Sequence, residues 1–471
     1  MQNIDAARGI NPSALRLLNM VLSWGGTSVN IKLLAASASH FALKRLLGPF
    51  WLRRIWLEKT QWLNEEQLRA IQLNRLQKLV RHCYRTVPFY RQLMEKMELV
   101  PDDIRTLDDI RLFPIITKHS VLADPQSFLS IKYPGWLLHR AHTGGTTGTP
   151  MYVHRNPFSI GVEHAFVRRQ WDWAGIGFRD RCAYLTGRVI VPPQRTEGRL
   201  YVYDPFLKEL ILSTYHLSAH TAQSYLEIMQ KYRIRALVGY PSSVFLLART
   251  CLDLGMDIKL HAVLTSSETI TDTARNTISR AFGCQVFDFY GAAERVCYIH
   301  TCEHGSYHVI PEYGLTELVP EGHADDCRCR VIATGFWNFA MPLIRYDTGD
   351  VVVKSNERCP CGRACPVVRS IEGRQGDIIR TPSQRQLGCA LLGVLCGTGN
   401  VVESQIIQNQ LDRITIEYVP SPRFSAEDLN SFQKLISIHL PEELKVELKQ
   451  VHSIQKTRSG KLRQVVSNLG A

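Results

Sequence analysis

The sequence predicts an α/β protein with a large N-terminal domain of mixed and parallel sheets with helices, followed by a small C-terminal α+β domain. The chain has 471 residues, more than one core usually holds, so two or three domains are expected. Between residues 219 and 290, segments with strand and helix periodicity alternate, which is typical of βαβ units in a parallel sheet. After Gly373 the composition changes, so the domain boundary is predicted near Arg374–Asp377.

Hydrophobic periodicity orders the elements along the chain. Predicted helices lie at Lys32–Leu47, Leu52–Leu57, Asn64–Arg85, Asp102–Ile110, Phe158–Trp173, Ala219–Tyr232, Ser242–Leu254 and Ile270–Phe282. Predicted strands lie at Trp136–Ala141, Met151–His154, Cys182–Leu185, Val189–Val191, Ala236–Gly239, His261–Thr265, Gln285–Tyr290, His308–Pro311, Leu315–Leu318, Cys329–Thr334 and Val351–Val353. Ser242 or Ser243 is the predicted cap of its helix. We predict a helical N-terminal extension at 1–64, a large domain at 65–373 and a small domain at 374–471.

Composition and charge narrow the class of protein. Hydrophobic residues make up 45% and charged residues 21%, which is ordinary for a soluble globular chain. The 13 cysteines are irregularly spaced and no secretory signal is visible, so we expect reduced thiols and a cytoplasmic protein. The net charge of +13 suggests anionic partners such as nucleotides or a membrane surface. No dense basic tract with interleaved aromatic residues is present, so nucleic acid is not an expected partner.

The first sixty residues read as amphipathic helices with basic flanks. Such helices can lie on a membrane surface, which would make the protein peripheral to the inner face of the membrane. They can equally pack on their own protein, which is the more common use of this pattern. No apolar run is long enough to span a bilayer, because charged residues interrupt the best candidate, Ile31–Trp51.

A glycine- and threonine-rich loop, His142–Pro150, carries the strongest local signal. Glycine lets the backbone turn sharply and approach a ligand, and threonine hydroxyls with exposed N–H groups can bind a phosphate. The loop lacks the Gly-Lys-Ser/Thr ending of a Walker motif. A polar turn without a ligand is the alternative interpretation. The candidate phosphate-binding residues are Thr143, Gly144, Gly145, Thr146, Thr147 and Gly148.

Three polar segments follow three predicted strands of the parallel sheet. They read Tyr240-Pro-Ser-Ser, Thr265-Ser-Ser-Glu-Thr and Tyr290-Gly-Ala-Ala-Glu. Ligands of such sheets bind at the carboxyl ends of the strands. We therefore expect the three segments to converge on one edge and to form part of one site.

Four separated motifs together resemble the adenylate-forming superfamily, which activates carboxylic acids with ATP. The motifs are HTGGTTGTP at 142–150, YGAAE at 290–294, IRYDTGD at 344–350 and KTRSGK at 456–461. The segments GYPSS at 239–243, TSSE at 265–268, PLIRY at 342–346 and CPCGR at 359–363 resemble the phenylacetate–coenzyme A ligase branch, which includes capsule-biosynthesis ligase-like proteins. The resemblance covers roughly residues 65–471. Each motif alone is weak, and their common order is specific.

The resemblance implies a role for each charged residue of these motifs. The glycine-threonine loop would bind the β- and γ-phosphates, and Glu294 would hold Mg²⁺, which prefers hard oxygen ligands. Lys461 would stabilise the acyl-phosphate transition state. Arg374 would contact ribose or phosphate and mark a hinge about which the small domain is mobile.

The resemblance also implies how the nucleoside is bound. Asp350 would accept hydrogen bonds from the ribose hydroxyls. Tyr290 and Gly291 would lie against the adenine, with Ser267 and Glu268 near its edge. Taken singly, each of these residues also has a structural interpretation, such as a helix cap, a core aromatic or a solvated charge.

The sequence departs from the superfamily pattern at several positions. Met151 follows Pro150 where lysine is common, and Ala293 precedes Glu294 where threonine is frequent. Gly376 occupies the usually acidic hinge position, with Asp377 after it. The Ala293 change predicts one phosphate hydrogen bond fewer, and the glycine still permits rotation. None of these departures removes a principal charge.

A cysteine- and histidine-rich set is separate from the nucleotide motifs. Zinc takes mixed sets of four such ligands in tetrahedral sites. Similarity to members of the branch implies a structural zinc held by Cys302, His308, Cys359 and Cys361. Reduced core thiols without metal are the alternative.

These inferences predict an ATP-dependent acid–thiol ligase that forms acyl-AMP and then transfers the acyl group, with coenzyme A as the default thiol. The expected cofactors are ATP, Mg²⁺, coenzyme A as co-substrate and structural Zn²⁺. The alternatives are transfer to an amine, a sugar or a carrier protein in polysaccharide biosynthesis, and a non-catalytic scaffold of such a pathway. A homodimer is an open alternative to a monomer.

Overall fold

The computed structural model describes most of the chain from Gly48 onward. Predictions that fall on residues 1–47, including the helix at Lys32–Leu47, lie outside the described residues. So do the glycine-threonine loop at 143–150 and Lys461. The described residues are 48–142, 151–188, 190–191, 198–205, 207–322, 327–374, 379–383, 386–387, 400–421, 423–457 and 462–469.

Six of the described helices overlap predicted helical segments, and three further helices, two of them short, have no predicted counterpart. Asn64 caps the longest helix by accepting the backbone N–H of Gln67. In chain order the helices are α1 (Gly48–Thr60), α2 (Glu65–Thr86), α3 (Pro88–Lys96), α4 (Lys118–Ala123), α5 (Pro157–Trp173), α6 (Ala219–Lys231), α7 (Pro241–Asp253), α8 (Asp272–Phe282) and α9 (Ala426–His439).

A hairpin and one large mixed sheet form the body of the protein. The hairpin strands β1 (His139–His142) and β2 (Tyr152–Arg155) flank the glycine-threonine loop. The large sheet has the order β11-β12-β13-β14-β10-β9-β8-β7-β6-β3-β5-β4. Its strands are β3 (Cys182–Leu185), β4 (Tyr201–Asp204), β5 (Glu209–Leu212), β6 (Ala236–Gly239), β7 (Ala262–Ser266), β8 (Gln285–Gly291), β9 (Tyr298–Thr301), β10 (Tyr307–Val309), β11 (Gly314–Pro320), β12 (Arg328–Gly335), β13 (Tyr346–Lys354) and β14 (Val367–Arg374).

The predicted βαβ region is confirmed. Strands β6, β7 and β8 are parallel neighbours, and helices α7 and α8 connect them. The helices cover the sheet with buried residues such as Leu247 and Phe282, which is why both need a continuous apolar face. The strands beyond β8 are antiparallel, so the sheet is mixed as predicted.

A small sheet with one helix follows the large body. Its order is β19-β18-β17-β20, and α9 packs on it through Phe432. The strands are β15 (Ile379–Arg380), β16 (Gln386–Leu387), β17 (Val401–Gln410), β18 (Arg413–Pro420), β19 (Lys445–Gln450) and β20 (Val465–Ser467), with β15 and β16 forming a separate pair. The predicted fold class, a large α/β body with a small C-terminal α+β unit, is confirmed.

Arg374 and Ile379 mark where the large sheet ends and the small unit begins in the described residues. Arg374 ends β14 in the large sheet, and Ile379 packs in the core of the small unit. Gly373 has φ +89°, and a Cβ there would lie 3.0 Å from the Thr269 hydroxyl. Glycine therefore lets the last strand of the body run against the loop that follows β7. The domain limits themselves stay a prediction.

One face of helix α1 packs on the body of the protein, and the opposite face is exposed to solvent. Phe50 and Leu57 are buried in the main core, so this part of the predicted N-terminal extension packs on its own protein. Leu52 and Ile55 are 69% and 51% exposed. Contact of residues 1–60 with a membrane stays a prediction. Within the described part of the chain, the helices are too short or too polar to cross a bilayer.

Three predicted element limits are wrong for local reasons. The strand predicted at Trp136–Ala141 begins only at His139, because Gly135–Leu137 forms a 3₁₀ turn that leaves Trp136 83% exposed. The helix predicted at Asp102–Ile110 is two 3₁₀ turns. The Asp109 carboxylate, in the second turn, accepts the backbone N–H groups of Arg105 and Thr106, at 2.9 and 2.6 Å. These hydrogen bonds compete with helix formation between the two turns.

The third wrong limit is the start of α7. Neither Ser242 nor Ser243 is its cap: Tyr240 occupies that position and Pro241 is the first helical residue. Proline suits this position because its φ is already helical and it has no N–H to leave unpaired. Other differences concern strands of the large sheet. Residues 190–191 form a bend where a strand was predicted, and β4, β5, β9 and β14 were not predicted.

Candidate active site

The carboxyl ends of β6, β7 and β8 lie side by side at one edge of the sheet. Gly239 pairs with Thr265, and Thr265 pairs with Asp288, so the segments that follow these strands share that edge. The predicted convergence of the three polar segments is confirmed. Gly291, the last residue of β8, lies at this edge and pairs with Tyr298 of the antiparallel strand β9.

Tyr290 and Asp350 meet although three strands separate them in the sheet order. The Tyr290 hydroxyl donates a hydrogen bond of 2.6 Å to Asp350 Oδ2. Burial, and then the neighbouring Asp350 carboxylate, raise the pKa of Tyr290 well above its ordinary value, so the phenol stays protonated and donating. Asp350 is itself buried, and its cross-strand partner is Arg374.

Glu294 lies just beyond the end of β8 and contacts the IRYDTGD motif. The Tyr346 hydroxyl donates to Glu294 Oε1 at 3.1 Å. Oε2 accepts no hydrogen bond from the described residues. The carboxylate is 7% exposed, so it is held in one place with one oxygen still able to bind a cation. Glu294 thus contacts β13 at Tyr346, four residues before Asp350 in the same strand.

Arg155 is a site residue that the sequence reading missed. It ends β2, and its guanidinium donates to the carbonyl oxygen of Ala293, the residue before Glu294. Burial, and then the neighbouring Arg295, lower the pKa of Arg155 to about 10. This contact joins the hairpin that carries the glycine-threonine loop to the segment that carries Glu294. A single arginine at a strand end has no local signal that distinguishes it.

Glu268 makes two backbone contacts from the loop after β7. Ser267 has φ +72°, a conformation rare for residues with a side chain, and it turns the chain after the strand. Glu268 Oε2 accepts the N–H of Ser242 at 3.0 Å, and Oε1 accepts the N–H of Leu462 at 2.9 Å. The predicted positions of Ser267 and Glu268 near the adenine edge stay a prediction, and the described contacts of Glu268 are to protein.

Several predicted site residues lie outside the description. They are the six loop residues and Lys461, together with the side chain of Arg374, whose backbone ends β14. The structure therefore brings together Tyr290, Glu294 and Asp350 by contacts, with the backbone of Arg374 beside them. In the sequence, the loop residues lie between β1 and β2, and Lys461 directly precedes Leu462.

The predicted metal ligands form a compact cluster at the other end of β8. Cys302 follows β9, His308 lies on β10, and Cys359 and Cys361 lie between β13 and β14. Their candidate ligand atoms all lie within 4.8 Å of one another. Cys302 Sγ is 3.5 Å from Cys359 Sγ, and Cys361 Sγ is 3.5 Å from His308 Nε2.

These separations suit a tetrahedral zinc ion. Zn–S bonds of about 2.3 Å place two sulfur ligands roughly 3.8 Å apart. His308 Nδ1 lies 3.4 Å from the Cys365 carbonyl oxygen, which favours the proton on Nδ1 and turns Nε2 towards the thiols. Burial lowers the pKa of His308 to about 4, so its imidazole is neutral and able to ligate. Burial raises the pKa of the Cys302 thiol to about 12.

One cavity among the described residues lies away from this site. It has a volume of about 310 Å³ and lies between α1 and the end of α5, and residues such as Arg54, Asp172 and Trp173 line it. It contains none of the predicted nucleotide-binding residues. The predicted acyl pocket, between the glycine-threonine loop and the strand ends, stays a prediction.

Comparison with known proteins finds relatives in sequence and in structure. The chain is 25% identical to Protein CapK of Staphylococcus aureus over 88% of this chain and 92% of that protein. It is 28% identical to a phenylacetate–coenzyme A ligase of Thermus thermophilus over 67% of this chain and 72% of that one. A crystal structure of 2-hydroxyisobutyryl-CoA ligase in the postadenylation state, in complex with R3-HIB-AMP, superposes with a TM-score of 0.67 and 17% identity, covering 87% of this chain and 91% of that one. These relatives match the superfamily that the sequence motifs resemble.

The small unit carries a match of its own. The family described as the CapK C-terminal domain matches residues 391–468. Protein CapK and the phenylacetate–coenzyme A ligase are relatives of the kind that the motifs resemble. Tyr290, Glu294 and Asp350 lie in the motifs that carry this resemblance.

Proposed function

We propose that this enzyme activates a carboxylic acid with ATP and transfers the acyl group to coenzyme A. It is an AMP-forming acid–thiol ligase in class. The observation that supports the proposal best is the pair of phenol contacts, Tyr290 to Asp350 and Tyr346 to Glu294, because they join two distant motifs in one buried set. The carboxylate of Asp350, which would bind the ribose, and the carboxylate of Glu294, which would bind a cation, would then face the same nucleotide.

In the first half-reaction, a carboxylate oxygen of the acid attacks the α-phosphorus of ATP. A new P–O bond forms, the bond to the bridging oxygen breaks, and pyrophosphate leaves with the electron pair. The barrier is electrostatic, because the carboxylate must approach the anionic ATP and the negatively charged pyrophosphate must leave. The loop residues Thr143–Gly148 would bind the leaving phosphates, and Lys461 would face the transferring group. Asp350, held by Tyr290, would orient the ribose.

The residues present fit Mg²⁺ on the ATP phosphates. Magnesium is usually bound by one or two carboxylates with phosphates and water, and Glu294 supplies one buried carboxylate with an oxygen that Tyr346 does not take. Bound there, the ion would neutralise charge on the phosphates. Arg155 holds the backbone beside Glu294, which fixes the position of that oxygen.

In the second half-reaction, the thiol sulfur attacks the acyl carbon of acyl-AMP. The C–S bond forms, the C–O bond to AMP breaks, and the thiol proton passes to solvent. The similarity to the superfamily implies that the small domain rotates between the two steps, so that Lys461 leaves before the thiol enters. A second acceptor class, an amine, sugar or carrier protein, is also proposed, because the match of the small unit is to a domain named for CapK.

The test is an assay of pyrophosphate release with a panel of acids, run with and without coenzyme A. The panel holds phenylacetate, benzoate, 2-hydroxyisobutyrate and medium-chain fatty acids. We expect one class of acid to stimulate release, and coenzyme A to accelerate it by removing acyl-AMP. Stimulation by acid but not by coenzyme A would favour the second acceptor class. ATP binding without release for any acid would favour the scaffold.

We also propose that the Cys302, His308, Cys359 and Cys361 cluster binds one structural Zn²⁺. Its support is the four-ligand geometry and the neutral, oriented histidine. The ion would tie the loop between β13 and β14 to the β9–β10 hairpin, away from the catalytic edge. Metal analysis of protein purified without chelators or added zinc should give one zinc per chain, and a content near zero would end this proposal.

A further inference from the structure

Glu268 joins the large body to the segment that carries the candidate catalytic lysine. Its two carboxylate oxygens accept backbone N–H groups that are 220 residues apart in the chain, those of Ser242 and Leu462. Hydrogen bonds to a charged acceptor are stronger than neutral ones. One side chain therefore connects the first turn of a helix in the body with the small unit.

The helix contact fixes the direction of the carboxylate. Helix α7 begins with Tyr240 and Pro241, and the Tyr240 side chain makes no capping hydrogen bond. Glu268 supplies a negative charge and an acceptor to this N-terminus from another loop, which suits the positive end of the helix dipole. Because Oε2 is held by α7, Oε1 is directed at the small unit without further ordering of the side chain.

Leu462 begins a described segment, 462–469, that contacts both units. Leu462 is 7% exposed, and it lines a small cavity between the two units together with Phe245 and Val402. On its other side the segment is bound to β17, since the N–H of Ile406 donates to the Gln464 carbonyl oxygen at 2.9 Å. The Glu268 contact therefore fixes the backbone one residue, about 3.8 Å, from Lys461.

We propose that Glu268 is a positioning residue for the adenylation step, which holds the Lys461 segment against the body and releases it before thiol transfer. The proposal rests on the proposed function. In this proposal, Glu268 contacts the protein either instead of adenine or before adenine binds. A carboxylate suits this task because a contact made by one oxygen to one N–H can break without disturbing the helix contact of the other oxygen.

The first test measures hydrogen exchange in the full-length protein and needs no substrate. In Glu268→Gln and Glu268→Ala, the Leu462 amide should exchange at least tenfold faster than in the wild type. The Ile406 amide should be unchanged, because its partner lies within the small unit. Arg423→Ala is the matched control, since that side chain also crosses the interface, to the Asp253 carbonyl oxygen at 3.3 Å, without touching the lysine segment.

The second test separates the half-reactions, using ATP with the acid that gives the largest pyrophosphate signal in the panel. Single-turnover formation of acyl-AMP should fall about tenfold or more in Glu268→Ala, while coenzyme A attack on supplied acyl-AMP stays within twofold. In a double-mutant cycle with Lys461→Ala, the loss caused by Glu268→Ala should disappear, because Glu268 acts through the lysine. Arg423→Ala should leave both half-reactions within twofold.

The outcomes distinguish this proposal from the proposed function. Unchanged exchange at Leu462, or equally faster exchange at Leu462 and Ile406, would overturn the holding role whatever the activity. Equal loss of both half-reactions, or additive losses in the cycle, would overturn the positioning role. If no acid releases pyrophosphate, the proposed function fails, and the exchange measurement still decides whether Glu268 holds the segment.

Discussion

The two ends of β8 carry different kinds of site. At its amino end, Gln285 donates to the carbonyl oxygen of Cys302, the first of the four clustered ligands. At its carboxyl end, Tyr290 reaches Asp350. The ends are six residue steps apart, roughly 20 Å. Thus one strand separates a cysteine-histidine cluster from the candidate nucleotide site, and substitutions at either end should have independent effects.

The two ends of β8 also differ in which parts of the chain contribute residues to the site there. The four ligands at the amino end all come from the body, and they already lie within 4.8 Å of one another. The carboxyl end depends on the small unit, which Glu268 contacts through Leu462. A structural site is stable because it is closed. A catalytic site with two steps needs a domain that can move between the steps. Such a domain is best held by a few hydrogen bonds that can break one at a time.

The largest effect is expected at the carboxyl end. Lys461→Ala should lower acyl-AMP formation by on the order of 10³-fold, because it removes the cation facing the transferring phosphate. Thiolysis of supplied acyl-AMP should be spared. Single-turnover assays of each half-reaction check this. Lys456→Ala is the control, since that lysine lies in the same basic segment but pairs with Glu403 at 3.4 Å. Equal loss of both half-reactions in Lys461→Ala would contradict the assignment.

A large effect on stability is expected beside the amino end, from the buried pair of Glu312 and Arg169. Their contact is 2.8 Å, with both side chains almost fully buried. Glu312→Gln leaves the guanidinium without its counter-charge, so the free energy of unfolding should fall by about 3 kcal/mol at pH 7. Chemical denaturation measures it. Catalytic constants of the folded fraction should not change.

The same pair predicts a pH dependence with a definite sign. Burial pushes the pKa of Glu312 up, but Arg169 and the hydrogen bonds it and Thr60 donate outweigh burial, so the pKa is lowered. A lowered carboxylate pKa stabilises the fold above the unfolded value, near 4.5, and that contribution is lost as the pH falls. The stability difference between wild type and Glu312→Gln should therefore shrink below about pH 4.5. A constant difference down to pH 3 would contradict this.

An intermediate effect is expected from the metal cluster. Cys359→Ser should reduce the zinc content and lower the free energy of unfolding by roughly 3 kcal/mol, because loss of a metal is among the most destabilising single changes. Metal analysis and denaturation check both parts. Cys327→Ser is the control, since Cys327 is exposed and outside the cluster. A full loss of adenylation with unchanged stability would contradict the separation of the two ends.

The smallest effect should come from Tyr290→Phe, which keeps the ring and removes the donor to Asp350. We expect the KM for ATP to rise about three- to tenfold, because a hydrogen bond to a charged group is lost while Asp350 keeps its charge. The melting temperature should change little. Tyr152→Phe, at an exposed position, serves as the control. An unchanged KM would mean that the phenol does not orient Asp350 for the nucleotide.

Sequence reasoning found the elements better than the contacts between them. The strands β6, β7 and β8 were predicted because each has its own apolar run and polar end. The edge strand β4 was missed because only one residue of it, Asp204, is fully buried, and α7 was given the wrong cap because proline at its start was not weighed against serine.

The candidate site shows the same limit. Glu294 and Asp350 belong to motifs with a fixed order, so the chain itself points to them. Arg155 and Glu268 act through contacts with Ala293 and Leu462, which are 138 and 194 residues away. No local pattern encodes such a contact, because it depends on how the whole sheet and the small unit are folded.

The pairing of Asp350 with Arg374 links ligand binding to the path of the chain. These residues face each other across adjacent strands, about 5 Å apart, and the chain leaves the large sheet immediately after Arg374. A ribose bound by Asp350, as proposed, would therefore contact the strand pair from which the chain continues to the C-terminal unit. Ribose binding and the orientation of that unit would then be coupled at this strand pair.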